Sequence, residues 1–283
     1  MKLCALVLLF AAVPCFASRT ITDELGRTVV VPDHPHRLVC LVPSIVDDVY
    51  SLGAGDDVIA VSDYTKFPAQ AETKPKIGAP MNPSLESIVA LHPDLVLGSG
   101  DMNHVQTANQ LESYGIPVFM VNPHGIAGIY TSILSLGKAL RRESDAARLI
   151  QSLQAREQAV RKRVSGKPVV RVFMPVWYDP IVTIGRHAFI TELIEAAGGV
   201  SITSDIAQEW PQVSLEAIVA RHPDALLLVR NSKVSLSELS GRPGWDALPA
   251  VRAGRVYYAD SRIDLPSPVA IDALEDLAKQ FHP

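Results

Sequence analysis

A short phrase occurs twice in this chain, as SLESIVALHPDLVL at residues 84–97 and as SLEAIVARHPDALLL at residues 214–228. The Ser, Leu, Glu, Ile, Val, Ala, His, Pro and Asp of the two copies are separated by a constant offset of 130 residues. The apolar spacing predicts a two-turn helix, Pro93 predicts its end, and the apolar run that follows predicts a buried strand. The same helix–strand unit is therefore predicted at two distant places.

The sequence around each copy alternates in the same way. RTVVVP predicts a strand of a hairpin that turns at Leu25-Gly26, and RLVCLV, VIAVSD, DLVLGS and IPVFMVN predict strands separated by helices. Strands that alternate with helices over short links favour a parallel sheet covered by helices. After Pro168 the alternation resumes, with VVRVFMPV, DALLLVR and GRVYYAD as strands.

Between the two halves, from Ile126 to about Gly166, no strand pattern occurs. The second part of this stretch predicts one helix with Ser144 as its N-cap and Gly166 after its end, about 33 Å long at 1.5 Å per residue. The predicted fold class is α/β, with two similar lobes of mainly parallel sheet joined by one long helix. The expected division is 18–140 for the N-terminal lobe, 141–166 for the connecting helix and 167–283 for the C-terminal lobe.

The first seventeen residues, MKLCALVLLFAAVPCFA, have the pattern of a signal peptide. Lys2 gives a positive start, the apolar run from Leu3 to Val13 is too short to span a bilayer, and small residues precede a cut after Ala17. The mature protein is expected to be exported to the periplasm. A lipid-modified Cys15 is the alternative, although Pro14 directly before it fits that reading poorly.

Charge, cysteine content and the absence of catalytic motifs make several classes of function less favoured. The net charge is −4 and no long run of basic residues occurs, which argues against nucleic-acid binding. Beyond Cys4 and Cys15 in the leader, Cys40 is the one remaining cysteine, so no intramolecular disulfide is expected. The chain has no GxSxG, P-loop or GxGxxG motif, so an exported α/β enzyme stays a remote alternative to a non-catalytic role.

Several stretches, in order along the mature chain, resemble one known family. They are DELGRTVVVP, HRLVCLVPS, SLGAGDDVIAVSDYTKFP, IGAPMNPSLESIVALHPDLVL, EWPQVSLEAIVARHPDALLL and RPGWDALPAVRAGRVYYAD. The chain is similar to the periplasmic solute-binding proteins that serve ABC importers of iron–siderophores, haem and vitamin B12. WPQVSLEAIVARHPD resembles the cobalamin-binding branch in particular. The resemblance implies a monomer that holds a small-molecule chelate between two lobes, with only small closure because a helix connects them.

The expected ligand contacts lie where strands of the two lobes end. Ligands of open α/β sheets bind beyond the carboxyl ends of the strands. This rule, together with the large aromatic faces that would suit a planar or macrocyclic ligand, gives the expected ligand-binding set: Ser44, Tyr64, Asp101, Trp177, Tyr178 and Trp210. Trp210 matches a tryptophan that faces the cleft in the cobalamin branch. Where that branch has a second tryptophan, this chain has Gly78-Ala79-Pro80 instead.

The repeated glutamates, Glu86 and Glu216, have two interpretations. Each is expected in the first turn of a helix after a serine N-cap, where its charge would interact with the positive helix end by about 0.3–1 kcal/mol. In the family, one glutamate per lobe also meets arginines on each half of a two-fold permease dimer. The resemblance therefore implies a docking role for both residues.

The ligand itself has several candidates. A corrinoid such as cobalamin is the first expectation, as a transported ligand and not as a cofactor. An iron–siderophore, held by arginines such as Arg186, Arg230 or Arg262, or a haem with Tyr64 or His104 as axial ligand, are the alternatives. The histidines show no HxxxH or HExxH spacing, so no direct metal site is expected.

Overall fold

The computed structural model describes residues 17–230 and 232–283. The predicted signal peptide of residues 1–17, with Cys15 in it, lies outside this range except for Ala17. The strands of the first lobe are β1 (Ser18–Thr22), β2 (Thr28–Pro32), β3 (Leu38–Cys40), β4 (Val58–Val61), β5 (Gly78–Ala79), β6 (Asn82–Pro83), β7 (Leu95–Ser99) and β8 (Val118–Val121). Its helices are α1 (Pro43–Ser51), α2 (Ala69–Glu72), α3 (Leu85–Ala90), α4 (Val105–Ser113) and α5 (Gly125–Leu140).

A long helix, α6 (Glu143–Val164), leads into the second half. The strands that follow are β9 (Val170–Phe173), β10 (Pro175–Tyr178), β11 (Ile181–Thr183), β12 (Gly199–Ser201), β13 (Ala225–Val229) and β14 (Val256–Ala259). The helices are α7 (Phe189–Ala196), α8 (Leu215–Ala220), α9 (Leu236–Ser240), α10 (Pro249–Arg252) and α11 (Val269–Phe281). The helix–strand alternation predicted from the sequence is confirmed in both halves.

The two main sheets have the same topology. The first is parallel with the order β4-β3-β7-β8, and the second is parallel with the order β12-β9-β13-β14. In each main sheet, the first strand in chain order, β3 or β9, therefore lies beside the strand of the repeated unit, β7 or β13. The β1–β2 hairpin pairs antiparallel around the Leu25-Gly26 turn, as expected.

The repeated unit has the same local structure in both lobes. Ser84 and Ser214 cap α3 and α8, and each side chain accepts a hydrogen bond from the backbone N–H three residues later. His92 and His222 then adopt the left-handed conformation, with φ of 46° and 48°. This backbone reversal ends each helix before the proline, which refines the role assigned to Pro93 alone.

The connecting helix differs from the prediction at its start. α6 begins at Glu143 with Arg142 as N-cap, so Ser144 lies inside the first turn and is not the cap. The helix packs against both α5 and α11. Arg156 of α6 donates to Glu275 at 2.9 Å and to Asp272 at 2.6 Å, which fastens the connector to α11.

Buried apolar side chains form one cluster that continues from the first lobe into the second. It includes Ile45 of α1, Ile133 of α5, Leu193 of α7 and Leu274 of α11. A smaller cluster around Phe173 and Trp245 fills the outer side of the second lobe. Since burial of apolar surface stabilises by about 25 cal/mol per Å², the shared cluster favours a fixed association of the lobes.

Candidate functional site

A cavity of about 180 Å³ lies at the carboxyl ends of the strands of the second lobe. Its lining comes from the start of β10 and the residue before it, from the end of β13, and from residues that follow β13 and β14, together with one residue of α7 and one before α8. The lining residues are Met174, Pro175, Val176, Ile190, Trp210, Val229, Ser232, Ser261, Ile263 and Asp264. This position agrees with the general observation that ligands of open α/β sheets bind beyond the carboxyl ends of the strands.

Trp210 is the large aromatic residue of this wall, and 46% of its surface is exposed. The segment that carries it runs along β11. Gly185 donates to the Glu209 carbonyl at 2.9 Å, Thr183 donates to the Pro211 carbonyl at 3.0 Å, and Val213 donates to the Ile181 carbonyl at 3.0 Å. Backbone bonds on both sides of Trp210 hold its position, so the indole is presented on a rigid support.

Trp177 and Tyr178 were expected beyond the end of a strand, but they lie in β10. A bulge leaves Val176 without a partner while Trp177 pairs with Val182 and Tyr178 with Ile181. The two rings stack with centroids 4.9 Å apart, and the Arg242 guanidinium lies 3.6 Å from the centre of the Tyr178 ring. Val176 lines the cavity, whereas neither of the two aromatic rings belongs to its lining.

The first-lobe candidates differ in how accessible they are. Tyr64 follows β4 and is 67% exposed, and Asp101 is exposed in the turn after β7. Ser44 is buried in the first turn of α1. The Arg262 guanidinium, in the segment after β14, lies 4.6 Å from the centre of the Phe67 ring, which follows β4. This contact brings together the carboxyl-end edges of the two sheets, with Tyr64 close in sequence to the point of contact.

Two exposed methionines on the first-lobe edge were missed at the sequence level. Met81 is 60% exposed between β5 and β6, and Met102 is 45% exposed after β7. The buried side chain of Asn103 ties their loops together, because it donates to the Pro80 carbonyl at 2.7 Å and accepts from the Ser99 N–H at 2.8 Å. Methionines inside turns rich in Gly and Pro were the available signal, since such turns rarely bury a long apolar side chain.

The candidate arginines already have partners within the protein. Arg262 donates to the Asp260 carboxylate at 2.7 Å, and this ion pair holds the pKa of Asp260 below its usual value. Arg186 donates to the backbone carbonyls of Ser204 and Asp205. Arg230 lies against the Tyr258 ring, with 5.5 Å between the guanidinium carbon and the ring centre.

Among residues 17–230 and 232–283, no group of three His, Cys, Asp or Glu side chains is arranged to hold a metal ion. His104, a candidate axial ligand, is exposed at the N-cap of α4.

Over residues 17–230 and 232–283, no helix combines the length and apolar character required to cross a bilayer.

Glu86 and Glu216 are both exposed in the first turns of α3 and α8. For Glu216, hydrogen bonds from its own backbone N–H and from the Ser214 hydroxyl hold the pKa below its usual value. The two carboxylates are thus equivalent in local structure and available to solvent, one on each lobe.

A second hollow, of about 590 Å³, lies at the other end of α1 and is open to solvent. It is lined by Tyr50, Gly53, Gly55, Asp56, Gln70, Thr73 and Lys74. This end of the helix points away from the carboxyl ends of the strands. The cavity beside Trp210 is therefore the better candidate for ligand binding.

Residues 38–263 match the family described as periplasmic binding protein. The match covers most of the chain. The two lobes, each with a parallel sheet, and the cavity at the strand ends agree with this family. This chain belongs to the periplasmic binding protein family.

Named relatives are similar over most of their length. The chain is 31% identical to an uncharacterized ABC transporter substrate-binding lipoprotein, YvrC, of Bacillus subtilis, over 93% of this chain and 85% of the relative. It is 27% identical to a vitamin B12-binding protein of Vibrio campbellii, over 87% and 89%. Among solved structures, the periplasmic haem-binding protein RhuT from Roseiflexus sp. RS-1 matches with a TM-score of 0.81 at 26% identity, over 87% of this chain and 98% of that one.

Proposed function

We propose that this protein is the substrate-binding protein of an ABC importer and that it captures a corrinoid resembling vitamin B12. Family membership supports the transport role, and the vitamin B12-binding relative supports the ligand class. A family of binding proteins also favours capture and release of a solute over catalysis, which leaves an exported α/β enzyme as the remote alternative.

The observation that carries the ligand proposal is the exposed indole of Trp210 beside a cavity wall that combines apolar side chains with a few polar ones. A macrocycle offers a broad face that can cover such a ring, and its polar edge groups can reach Asp264 and Ser261 at the same wall. Tyr64 and Asp101 would contribute from the facing lobe. Trp177, Tyr178 and Ser44 complete the proposed set, with Trp177 and Tyr178 acting at the outer edge of the hairpin.

A haem or an iron–siderophore is the second candidate. The haem-binding structural relative favours it, and so does Tyr64, because an exposed phenol beside the cleft has the chemistry of an axial ligand to haem iron. The carboxylates of haem or of a siderophore would have to compete with Asp260 for Arg262, since those two side chains are paired.

The ligand is identified by retention of colour. Purified mature protein is mixed separately with cyanocobalamin, haemin and a ferric hydroxamate, and each mixture is passed through a desalting column. The proposal expects stoichiometric red cyanocobalamin in the protein fraction. Colourless protein from the cyanocobalamin mixture, with retention of either iron compound, would transfer the assignment to the second candidate.

We further propose that Glu86 and Glu216 dock the protein onto the two halves of a two-fold symmetric permease. Their equivalent exposed positions support this role, because two carboxylates on matching surfaces suit a receptor with two matching arginine clusters. Salt bridges at the rim of a complex give orientation as well as attraction.

The docking proposal is tested with the double variant Glu86→Ala and Glu216→Ala. Ligand affinity should be unchanged, and uptake of labelled ligand into cells that contain the permease should be lost. The matched control is Glu72→Ala with Glu195→Ala, which removes one exposed glutamate from each lobe. Equal uptake by the two double variants would contradict the docking role.

We also propose that residues 1–17 direct export and are then removed. The functional units that remain are the lobe of residues 18–140, the connector of residues 141–166 and the lobe of residues 167–283, working as a monomer in the periplasm. The lipoprotein relative of Bacillus subtilis keeps lipidation of Cys15 as the alternative. Intact mass of the exported protein distinguishes a start at Ser18 from a diacylated cysteine.

A further inference from the structure

Asp47 connects the first lobe to the last helix of the second lobe. Its Oδ2 atom accepts hydrogen bonds from the Ser267 hydroxyl at 2.8 Å and from the Val269 backbone N–H at 2.9 Å. Val269 is the first residue of α11, so its N–H has no partner within the helix. The Asp47 carboxylate is buried; burial raises its pKa, and the two hydrogen bonds act in the opposite direction.

Glu192 connects the second lobe to the last main helix of the first lobe, α5. It lies on α7 of the second lobe, and its Oε2 atom accepts a hydrogen bond from the Ile126 backbone N–H at 2.9 Å, in the first turn of α5 of the first lobe. The carboxylate comes so close to Gly125 that a Cβ atom at that position would collide with it. The glycine, with φ of +66°, therefore leaves the space that the carboxylate occupies.

The two connections are related by the internal repeat. α1 lies between β3 and β4, and α7 lies between β9 and β12, which are the equivalent first and second strands of the two main sheets, although the β10–β11 hairpin precedes α7. α5 follows β8 and α11 follows β14, the equivalent last strands. In each direction, a carboxylate from the first main helix of one lobe therefore binds the N-terminus of the last main helix of the other lobe.

These bonds lie within an apolar interface that also supports the cleft. α5 packs against α7, and buried side chains of α1, α5, α7 and α11 share one cluster. The segment 260–268, which joins β14 to α11, supplies Ser261, Ile263 and Asp264 to the cavity wall. Its end at Ser267 is fixed to Asp47 of the opposite lobe, so this wall is anchored across the interface.

We propose that Asp47 and Glu192 are positioning residues that fix the separation of the two cleft walls. Apolar contacts between helices are non-directional and allow neighbouring helices to slide and tilt. Hydrogen bonds between a carboxylate and a helix N-terminus are directional and are strengthened by the helix dipole. Two such bonds, one in each direction, restrain rotation of either lobe about the connector.

Only the ligand-binding consequence of this inference rests on the proposed function. The restraint on the lobes can be measured in the ligand-free protein. The simpler alternative is that each carboxylate only caps a helix, in which case its loss would lower stability without changing the distance between the lobes.

The test measures the distance between the lobes by double electron–electron resonance. Spin labels are attached at exposed Ser113 of α4 and Ser240 of α9 after substitution of each by Cys, since Cys40 is buried. In Asp47→Ala with Glu192→Ala, the distance distribution should broaden about twofold, because hinge freedom replaces a fixed arrangement. Asp47→Asn with Glu192→Gln keeps an oxygen acceptor at each site and should return most of the narrow distribution.

The chain offers a matched control in Asp94 and Asp224, which are equivalent in the repeat. Asp94 accepts from the His36 and Arg37 backbone N–H groups at 2.8 and 3.0 Å, and Asp224 accepts from the Arg171 N–H at 2.9 Å, each within its own lobe. Asp94→Ala with Asp224→Ala should lower stability and leave the distribution narrow. If both double-alanine variants give the same width, the positioning role is wrong.

Loss of folding in the Asp47 variants does not remove the test. Glu192 is only half-buried, and the single variant Glu192→Ala should by itself broaden the distribution. A narrow distribution in that folded variant would overturn the proposal. In the same proteins, cyanocobalamin should bind about tenfold more weakly to the variant with the broadened distribution, since looser walls must be ordered on binding. Broadening without any binding of cyanocobalamin would reject the corrinoid ligand and retain the positioning role.

Discussion

Replacement of Trp210 by Ala should weaken ligand binding by a predictable amount. The exposed part of this side chain is 46% of its surface. A tryptophan offers up to about 250 Å² for burial, so a ligand that covers the exposed part removes about 115 Å² from water. At about 25 cal/mol per Å², this contact contributes about 2–3 kcal/mol. The dissociation constant should therefore rise by about 30- to 150-fold in the variant.

The assay is isothermal titration calorimetry of the mature protein with cyanocobalamin, and separately with haemin. Calorimetry is preferable to fluorescence here, because the substitution itself removes an indole. The matched control is Tyr114→Ala, which removes another exposed aromatic side chain at the C-terminal end of α4, away from the strand ends. Its affinity should equal that of the wild type.

The refuting result is equally specific. The comparison uses the probe, cyanocobalamin or haemin, that the wild type binds. If Trp210→Ala and Tyr114→Ala both bind this probe with the affinity of the wild type, the ligand does not cover the indole. The cavity beside Trp210 would then not be the binding site. An unchanged near-ultraviolet circular dichroism spectrum outside the tryptophan contribution verifies that the variant keeps its fold.

Three further predictions concern stability and reactivity. Asp48 is fully buried beside the Asp47 and Glu24 carboxylates, its Oδ1 atom has no hydrogen-bond partner among the described residues, and burial raises its pKa well above the usual value. The folded state therefore binds the proton more tightly than the unfolded state, and stability is lost as the pH rises above the unfolded pKa. Asp48→Asn should accordingly match the wild type in acid and gain about 1–3 kcal/mol near neutral pH in urea unfolding; a gain that does not depend on pH would contradict this reasoning. His92→Gly with His222→Gly should stabilise by about 1 kcal/mol per site in the same assay, because glycine tolerates the positive φ of both positions; a destabilised double variant would show that the histidine rings are needed. The Cys40 thiol is buried, and burial raises its pKa, so it should react with a thiol reagent only after unfolding, and rapid labelling of the native protein would be inconsistent with the buried position.

Local patterns in the sequence were sufficient for the secondary structure of the repeat. The serine caps, the two-turn helices and the buried strands β7 and β13 all follow from residues that are adjacent in the chain. The exact first and last residues of the helices were harder to predict from these patterns, as the start of α6 at Glu143 shows. A cap is decided by backbone geometry at one residue, and Ser144 has the right chemistry but lies two positions after the actual cap, Arg142.

The candidate site was predictable only where a rigid local frame presents the side chain. Trp210 lies shortly before the repeated unit, which begins at Ser214, and it lines the cavity at the strand ends. Trp177 and Tyr178 lie on a strand with a bulge at Val176, and the strict alternation of a strand fails at such a place. The sequence contains no local signal that Val176 of this hairpin lines the cavity while the two rings do not.

The sequence by itself determined the two α/β lobes, their equivalent helix–strand units and the presence of one exposed glutamate in each. These features depend on spacing, capping and apolar periodicity, which act over a few residues. Tertiary structure alone decided that Asp47 meets Ser267 and Val269, and that Glu192 meets Ile126. Those partners are far apart in the chain, and only the packing of α1, α5, α7 and α11 in one apolar interface brings each carboxylate to a helix end in the opposite lobe.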